Sequence, residues 1–269
     1  MTSTDKVFAG SIPKIYQTYL VPLLFQAYAD DLARRLAAHP VRRVLEIAAG
    51  TGVATRALAA ALPGAEIVAT DLNQAMLDEA AALGTPHGVA WRQADATELP
   101  FAERGFDAVV CQFGAMFFPD KARAYAEARR VLRSGGVFLF SVWDRIEDNG
   151  FADAVTSALR EIFPDDPPRF LARTPHGYHD KAAIAGDLAR GGFRAAPEIV
   201  TLPERSRADS PRVPAVAFCE GTPLRSEIEA RDARRLAEAT DAAEREVGKR
   251  YGTGAVEAAM QAHVVAVRA

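Results

Sequence analysis

The apolar positions of this 269-residue chain fall into short runs that each stop at a glycine or an acid, and several are followed by an Ala- and Leu-rich stretch with helical spacing. Val44-Leu45-Glu46-Ile47 leads into Ala48-Ala49-Gly50-Thr51-Gly52, and Val53 to Leu62 then reads as the crossover helix of a βαβ unit. The alternation repeats downstream. Glu66 to Asp71 predicts a second strand, Gln74 to Leu83 a helix, Val89 to Ala96 a third strand and Phe106 to Cys111 a fourth. A helix from Asp120 to Arg133, a Ser134-Gly135-Gly136 turn and a fifth strand from Val137 to Trp143 continue it. Strands alternating with helices in this way belong to the α/β class.

Past Trp143 the pattern changes. Residues 144–179 read as an insertion broken at Pro164-Asp165-Asp166-Pro167-Pro168. Asp180 then caps a helix that runs to Arg190, Gly191-Gly192 stops it, and Phe193 to Leu202 predicts a sixth strand. Residues 210–252 are mostly helical and heavily charged, and Met260 to Val267 predicts a closing strand. Before the first strand, residues 8–36 are also largely helical, with an apolar and aromatic face of Phe8, Ile12, Ile15, Tyr16, Tyr19, Leu20 and Phe25.

The chemistry concentrates at the first turn. Gly50 and Gly52 admit backbone conformations closed to most residues, so their N–H groups can approach a bound small molecule at a helix start. Asp71 stands at the end of the second strand, 19 residues past Gly52, where an acid can accept both ribose hydroxyls of an adenosine held on the turn. Its alternative is an N-cap for the helix Gln74 to Leu83. Asp95 repeats the arrangement at the end of the third strand.

With VLEIAAGTG, IVATDLNQAML, RQADATELPFAERGFDAVVCQFGAMFF and VLRSGGVFLFSVWD in this order, the chain resembles the class I S-adenosylmethionine-dependent methyltransferases from about Val41 to Asp144. The nearest subgroup is the small-molecule enzymes that include the ubiquinone and menaquinone biosynthesis methyltransferases. The resemblance implies a Rossmann-like, mostly parallel seven-stranded sheet with helices on both faces and the last strand antiparallel. It also implies one methyltransferase domain over 1–269, with a helical lid at 1–36, a cofactor-binding core at 41–143 and cap insertions at 144–179 and 210–252. The implied cofactor is S-adenosyl-L-methionine. Gly50 and Gly52 would face its methionine part, Glu46 would organise the loop and Asp71 would bind the ribose diol. Leu72 and Met76 would pack on adenine, Asp95 and the Ala96 N–H would bond its edge, and Gln112 and Phe113 would lie beside the sulfonium. The family usually has glycine where this chain has Ala48, a methyl that fits if the backbone there stays right-handed.

Loops leaving the carboxyl ends of a parallel sheet roof its ligand site, so Tyr16 is the leading lid residue and a further candidate cofactor contact, unless these segments merely clad the sheet. Methyl transfer from a sulfonium is an in-line displacement that needs alignment and exclusion of water. Oxygen and acidic-carbon nucleophiles also need a base. His176, His179 and Tyr16 are the candidate catalytic side chains, although a histidine at a helix start also serves as a cap or packing residue. The H-x-x-H spacing lacks a third metal ligand, so no metal is expected. Aromatic and apolar residues around the expected roof favour a small, partly apolar or aromatic acceptor.

The 32 basic and 35 acidic residues give a net charge of −3, which predicts no general attraction to nucleic acid. The two cysteines, Cys111 and Cys219, form no metal or disulfide pattern. No apolar run approaches the roughly 20 residues of a membrane span, and Met1-Thr2-Ser3-Thr4-Asp5 lacks a signal peptide's regions, so a cytoplasmic location is expected. Two other readings stay open. One is a cofactor-binding partner protein without activity, and the other is an NAD(P)-dependent oxidoreductase. Thr55 at the third glycine position of G-x-G-x-x-G and the lack of a Tyr-x-x-x-Lys pair speak against the second.

Overall fold

The apolar runs become seven strands: β1 (Arg43–Ile47), β2 (Glu66–Asp71), β3 (Val89–Gln93), β4 (Phe106–Gln112), β5 (Leu132–Trp143), β6 (Glu198–Ala208) and β7 (Val256–Arg268). In the computed structural model, which describes residues 10–269, they form one sheet in the order β3-β2-β1-β4-β5-β7-β6. The pairs β1–β2, β1–β4, β2–β3 and β4–β5 are parallel. β7 runs the other way: Ala269 N donates to Gly136 O and Asp144 N to Gln261 O, so residue numbers fall along one strand as they rise along the other. The helices are α1 (Ile12–Ile15), α2 (Gln26–Ala37), α3 (Val53–Ala61), α4 (Gln74–Leu83), α5 (Lys121–Val131), α6 (Gly150–Ile162), α7 (Phe170–Arg173), α8 (Lys181–Arg190), α9 (Arg212–Glu220), α10 (Leu224–Asp232) and α11 (Leu236–Tyr251).

Backbone contacts group the chain into two compact units. The first holds the described residues up to Phe25 with 143–177 and 203–261, and the second holds 26–142, 178–202 and 262–269. In the second unit, Leu32, Leu36 and Leu58 from α2 and α3 close over Val44, Ala108, Val110, Leu139 and Val264. The central strands are buried on both faces, as a parallel sheet under helices requires. Tyr125 of α5 donates to the Tyr178 hydroxyl, which donates at 2.7 Å to Asp187 of α8.

In the first unit α11 packs on α6 and α9, with Phe151 and Tyr251 edge to face at 5.3 Å. The Pro-rich break is held from α10: Arg231 donates to Asp166 O at 2.6 Å, and Glu227 accepts from Arg169 N and Phe170 N at the start of α7. Between α1 and α2 the chain widens into a π-helical coil, Tyr16–Phe25, around Pro22. Proline brings no N–H to an α-type ladder, and a wider coil accommodates that loss.

Several expected boundaries move. β5 starts at Leu132 rather than Val137: Leu132 pairs with Phe106, the register shifts before Ala108, and Gly135 at φ +76° absorbs the irregularity that reads as a turn in sequence. β6 starts five residues later than expected and extends to Ala208, because Gly192 at φ +88° and Pro197 keep 193–197 out of the ladder. β3 ends at Gln93 instead of Ala96. Phe8 lies outside the described residues. Among the described residues no helix is long and apolar enough to cross a membrane.

Candidate functional site

The turn after β1 is built from backbone conformations that side chains disfavour. Ala48, Gly50 and Gly52 have φ of +56°, +57° and +79°. The expectation of a right-handed Ala48 is therefore overturned. The structure accommodates its methyl because Gly114, after β4, has no side chain: a Cβ there would overlap the Ala48 methyl and come within 2.8 Å of Cys111 Sγ. Gly52 is required twice, by its φ and by Trp91, whose Cη2 would lie 2.8 Å from an added Cβ.

The turn is laced to β2. Ala49 N donates to Thr70 O, and Gly50 N donates at 2.9 Å to Asp71 Oδ2. Asp71 Oδ1 accepts from Asn73 N at 2.8 Å. Asp71 is thus no N-cap of α4, a position taken by Asn73, but a buried carboxylate that ties two strand ends together. Burial raises its carboxyl above the ordinary range, with the Asn73 and Gly50 N–H groups opposing.

Glu46 lies behind the turn, 1% exposed, and accepts at 2.6 Å from Thr55 Oγ1 on α3. Burial pushes its carboxyl up to about 8, against the pull of the Thr55 hydroxyl and the Arg56 guanidinium. Arg56 in turn donates to Thr51 O at 2.8 Å. Thr55 and Arg56 went unrecognised as parts of the site in sequence, where Thr55 figures only as a missing glycine; their signal is their place one turn into the crossover helix. The Thr51 hydroxyl is buried and has no hydrogen-bond partner among the described residues.

Beyond Asp71, Leu72 is exposed and Met76 buried. Asp95 is exposed and closes a tight turn, its Oδ1 accepting from Thr97 N and Oγ1, with Ala96 half-buried inside that turn. At the end of β4, Gln112 and Phe113 are buried. Phe113 is left-handed at φ +51°, its N–H donates to Ser141 O, and its ring meets Tyr28 edge to face at 5.2 Å. Ala48 and Phe113 are thus the first residues past two adjacent strands, at the point where strand order reverses, and such strained residues cluster at functional sites.

Tyr16 and His176 belong to the first unit. Tyr16 stacks on Phe25 at 5.0 Å, Phe25 lies against Trp143 at 6.1 Å, and Trp143 against His176 at 5.9 Å. His176 Nδ1 is 2.8 Å from Asp144 O. A carbonyl only accepts, so Nδ1 carries the hydrogen. His179 is half-buried in the second unit. No metal-binding group of three or more His, Cys, Asp or Glu exists among the described residues.

The family described as a methyltransferase domain matches residues 45–140. An uncharacterised protein of Mycobacterium tuberculosis is 37% identical over 136 residues, which is 50% of this chain and 46% of that one, so the chain spans about half the length of such relatives. The ubiquinone/menaquinone biosynthesis C-methyltransferase of Acidiphilium cryptum is 32% identical over 168 residues, covering 57% of this chain and 67% of that one. Among solved structures, a phosphoethanolamine N-methyltransferase of Haemonchus contortus in complex with S-adenosylhomocysteine shares the fold, with a TM-score of 0.58 and 18% identity over 95% of this chain and 56% of that one.

Proposed function

Because this chain belongs to the class I S-adenosylmethionine-dependent methyltransferases, with S-adenosylmethionine as the cofactor, we propose that it transfers a methyl group by in-line displacement to a small, partly apolar or aromatic acceptor. The observation that carries this reading is the glycine turn bound through Gly50 N to the Asp71 carboxylate. The bound cofactor supplies a methyl activated on a positive sulfur. Every other requirement falls on the chain's own residues.

Asp71 accepts from Gly50 N and Asn73 N and, at 3.4 Å, from the Asn73 side-chain amide; of a carboxylate's about four lone pairs, a ribose diol would take the one left over and the place of that long amide bond. Leu72, 40% exposed beside it, offers an apolar platform for adenine. Asp95 has Oδ2 left over for an amino edge, next to the Ala96 N–H. The buried Thr51 hydroxyl supplies one more polar atom at the turn. Gln112 and the left-handed Phe113 stand at the reacting end, where an aromatic face favours a positive sulfur by roughly 0.5–2 kcal/mol. Thr55 is committed to Glu46, which leaves the third-glycine position of a dinucleotide fingerprint closed.

Calorimetry tests the reading. S-adenosylmethionine and S-adenosylhomocysteine should bind and NAD and NADP should not; tight NAD binding with no response to S-adenosylhomocysteine would overturn it. Asp71→Ala should lose roughly 2–4 kcal/mol of cofactor affinity, from two bonds to a charged acceptor discounted for water.

A further inference from the structure

In the second unit, α2 covers only part of its face of the sheet. Val137 and Leu139 of β5 share a core with Leu32 and Leu36 of α2, and Ala266 of β7 packs against it. Phe138 and Phe140 meet Tyr125 of α5 on the opposite face. α2 ends at Ala37, and α8, which leads into β6, packs on α5 instead. A groove of about 390 Å³ therefore remains between the last turn of α2 and the edge strand β6, a size typical of small-molecule sites. It lies away from the glycine turn. Val137 pairs with Ala108, four residues along β5 from Ser141 opposite Gln112, which is about 13 Å of strand.

The groove has an apolar floor of Leu36, Val137, Leu139 and Ala266 and a cationic rim. On that rim Arg34 and Arg35 both donate to the Asp31 carboxylate, which is 4% exposed. Two guanidiniums share one carboxylate, so one positive charge is left uncompensated. Arg35 uses Nε and Arg34 one terminal nitrogen, and among the described residues their other donors have no protein acceptor. His39 follows on the same side, and Glu198 at the start of β6 is the acid of the opposite rim.

We propose that this groove is a second ligand site, separate from the cofactor site, for a small apolar monocarboxylate. The carboxylate accepts charge-assisted hydrogen bonds from the donors that Arg34 and Arg35 have left over. Its apolar body lies on Val137, Leu139 and Ala266 and is withdrawn from water there. Glu198 repels a second carboxylate at the far rim, so the groove selects against a dicarboxylate of the same length.

Titration calorimetry of the whole chain with sodium octanoate, with and without saturating S-adenosylhomocysteine, tests this. Octanoate should bind with the same affinity in both states, and octan-1-ol and octanedioate should each bind on the order of tenfold more weakly. Arg35→Gln should lower octanoate affinity on the order of tenfold, with Asp31 still held by Arg34, and leave S-adenosylhomocysteine affinity unchanged. Ala38 is exposed and lines the groove, so Ala38→Trp should block octanoate without disturbing the core, which keeps the test decisive if the Arg35 variant does not fold. Absence of octanoate binding, affinity equal to that of octan-1-ol or octanedioate, displacement by S-adenosylhomocysteine, or unaltered binding by either folded variant would overturn the proposal. Failure of S-adenosylhomocysteine to bind would sink the cofactor reading alone, because the octanoate titrations decide this site without it.

Discussion

Ala48 and Gly114 are a matched pair, one carrying a methyl at a strained φ and the other leaving room for it. A left-handed alanine costs about 1–2 kcal/mol, and it persists because the turn it belongs to is held on both sides. The pairing predicts non-additivity. Gly114→Ala should cost upwards of about 2 kcal/mol by overpacking, and adding Ala48→Gly should recover at least about 1 kcal/mol of that, as urea unfolding of the two single variants and the double variant would measure. Additive costs would mean that the clash falls on Cys111 alone.

Glu46 makes a residue-scale prediction about pH. The folded chain holds its proton up to about 8, whereas an unfolded glutamate releases it near 4.5. Between those values the unfolded state binds fewer protons, so this group's contribution falls as pH rises from about 4.5 to about 8 and is level above. The loss is on the order of 5 kcal/mol, at about 1.4 kcal/mol for each unit between those two values. Denaturant unfolding of the ligand-free chain against Glu46→Gln checks it, and the difference between the two should change only inside that window.

At the scale of elements, strand ends and caps decide where the site groups stand. α8 begins where Asp180 Oδ1 accepts from Ala182 N at 2.7 Å and Ala183 N at 3.0 Å. Asp180→Ala should destabilise the second unit by about 1 kcal/mol and leave cofactor affinity unchanged, a pair of outcomes that thermal melts with and without S-adenosylhomocysteine would separate. Asp71→Ala should do the reverse and act mainly on binding. The register shift between β4 and β5 plays the same positioning part, since it lets Gln112 stand opposite Ser141 at the strand ends.

For the whole molecule the consequence is a coupling between ligand and stability. S-adenosylhomocysteine at about a hundred times its dissociation constant should add about 2.7 kcal/mol to the unfolding free energy of the folded state that binds it. NAD at the same concentration should add nothing. Scanning calorimetry reads both, and a melting temperature indifferent to S-adenosylhomocysteine would contradict the assignment.

What the sequence determined alone was the order of elements from Arg43 to Gln112, the glycine turn and the acids around it, because strand periodicity, crossover helices and glycine are local signals. It also placed the Asp180 cap, whose partners lie within three residues. The start of β5 at Leu132 and of β6 at Glu198 came from pairing with distant strands, which no local period encodes. The handedness of Ala48 was likewise a tertiary matter, since it depends on a missing side chain at Gly114, 66 residues away. So was the tie from Gly50 to Asp71, and so was the burial of Glu46, because hydrogen bonds and desolvation depend on which segments fold against each other rather than on which residues adjoin in the chain.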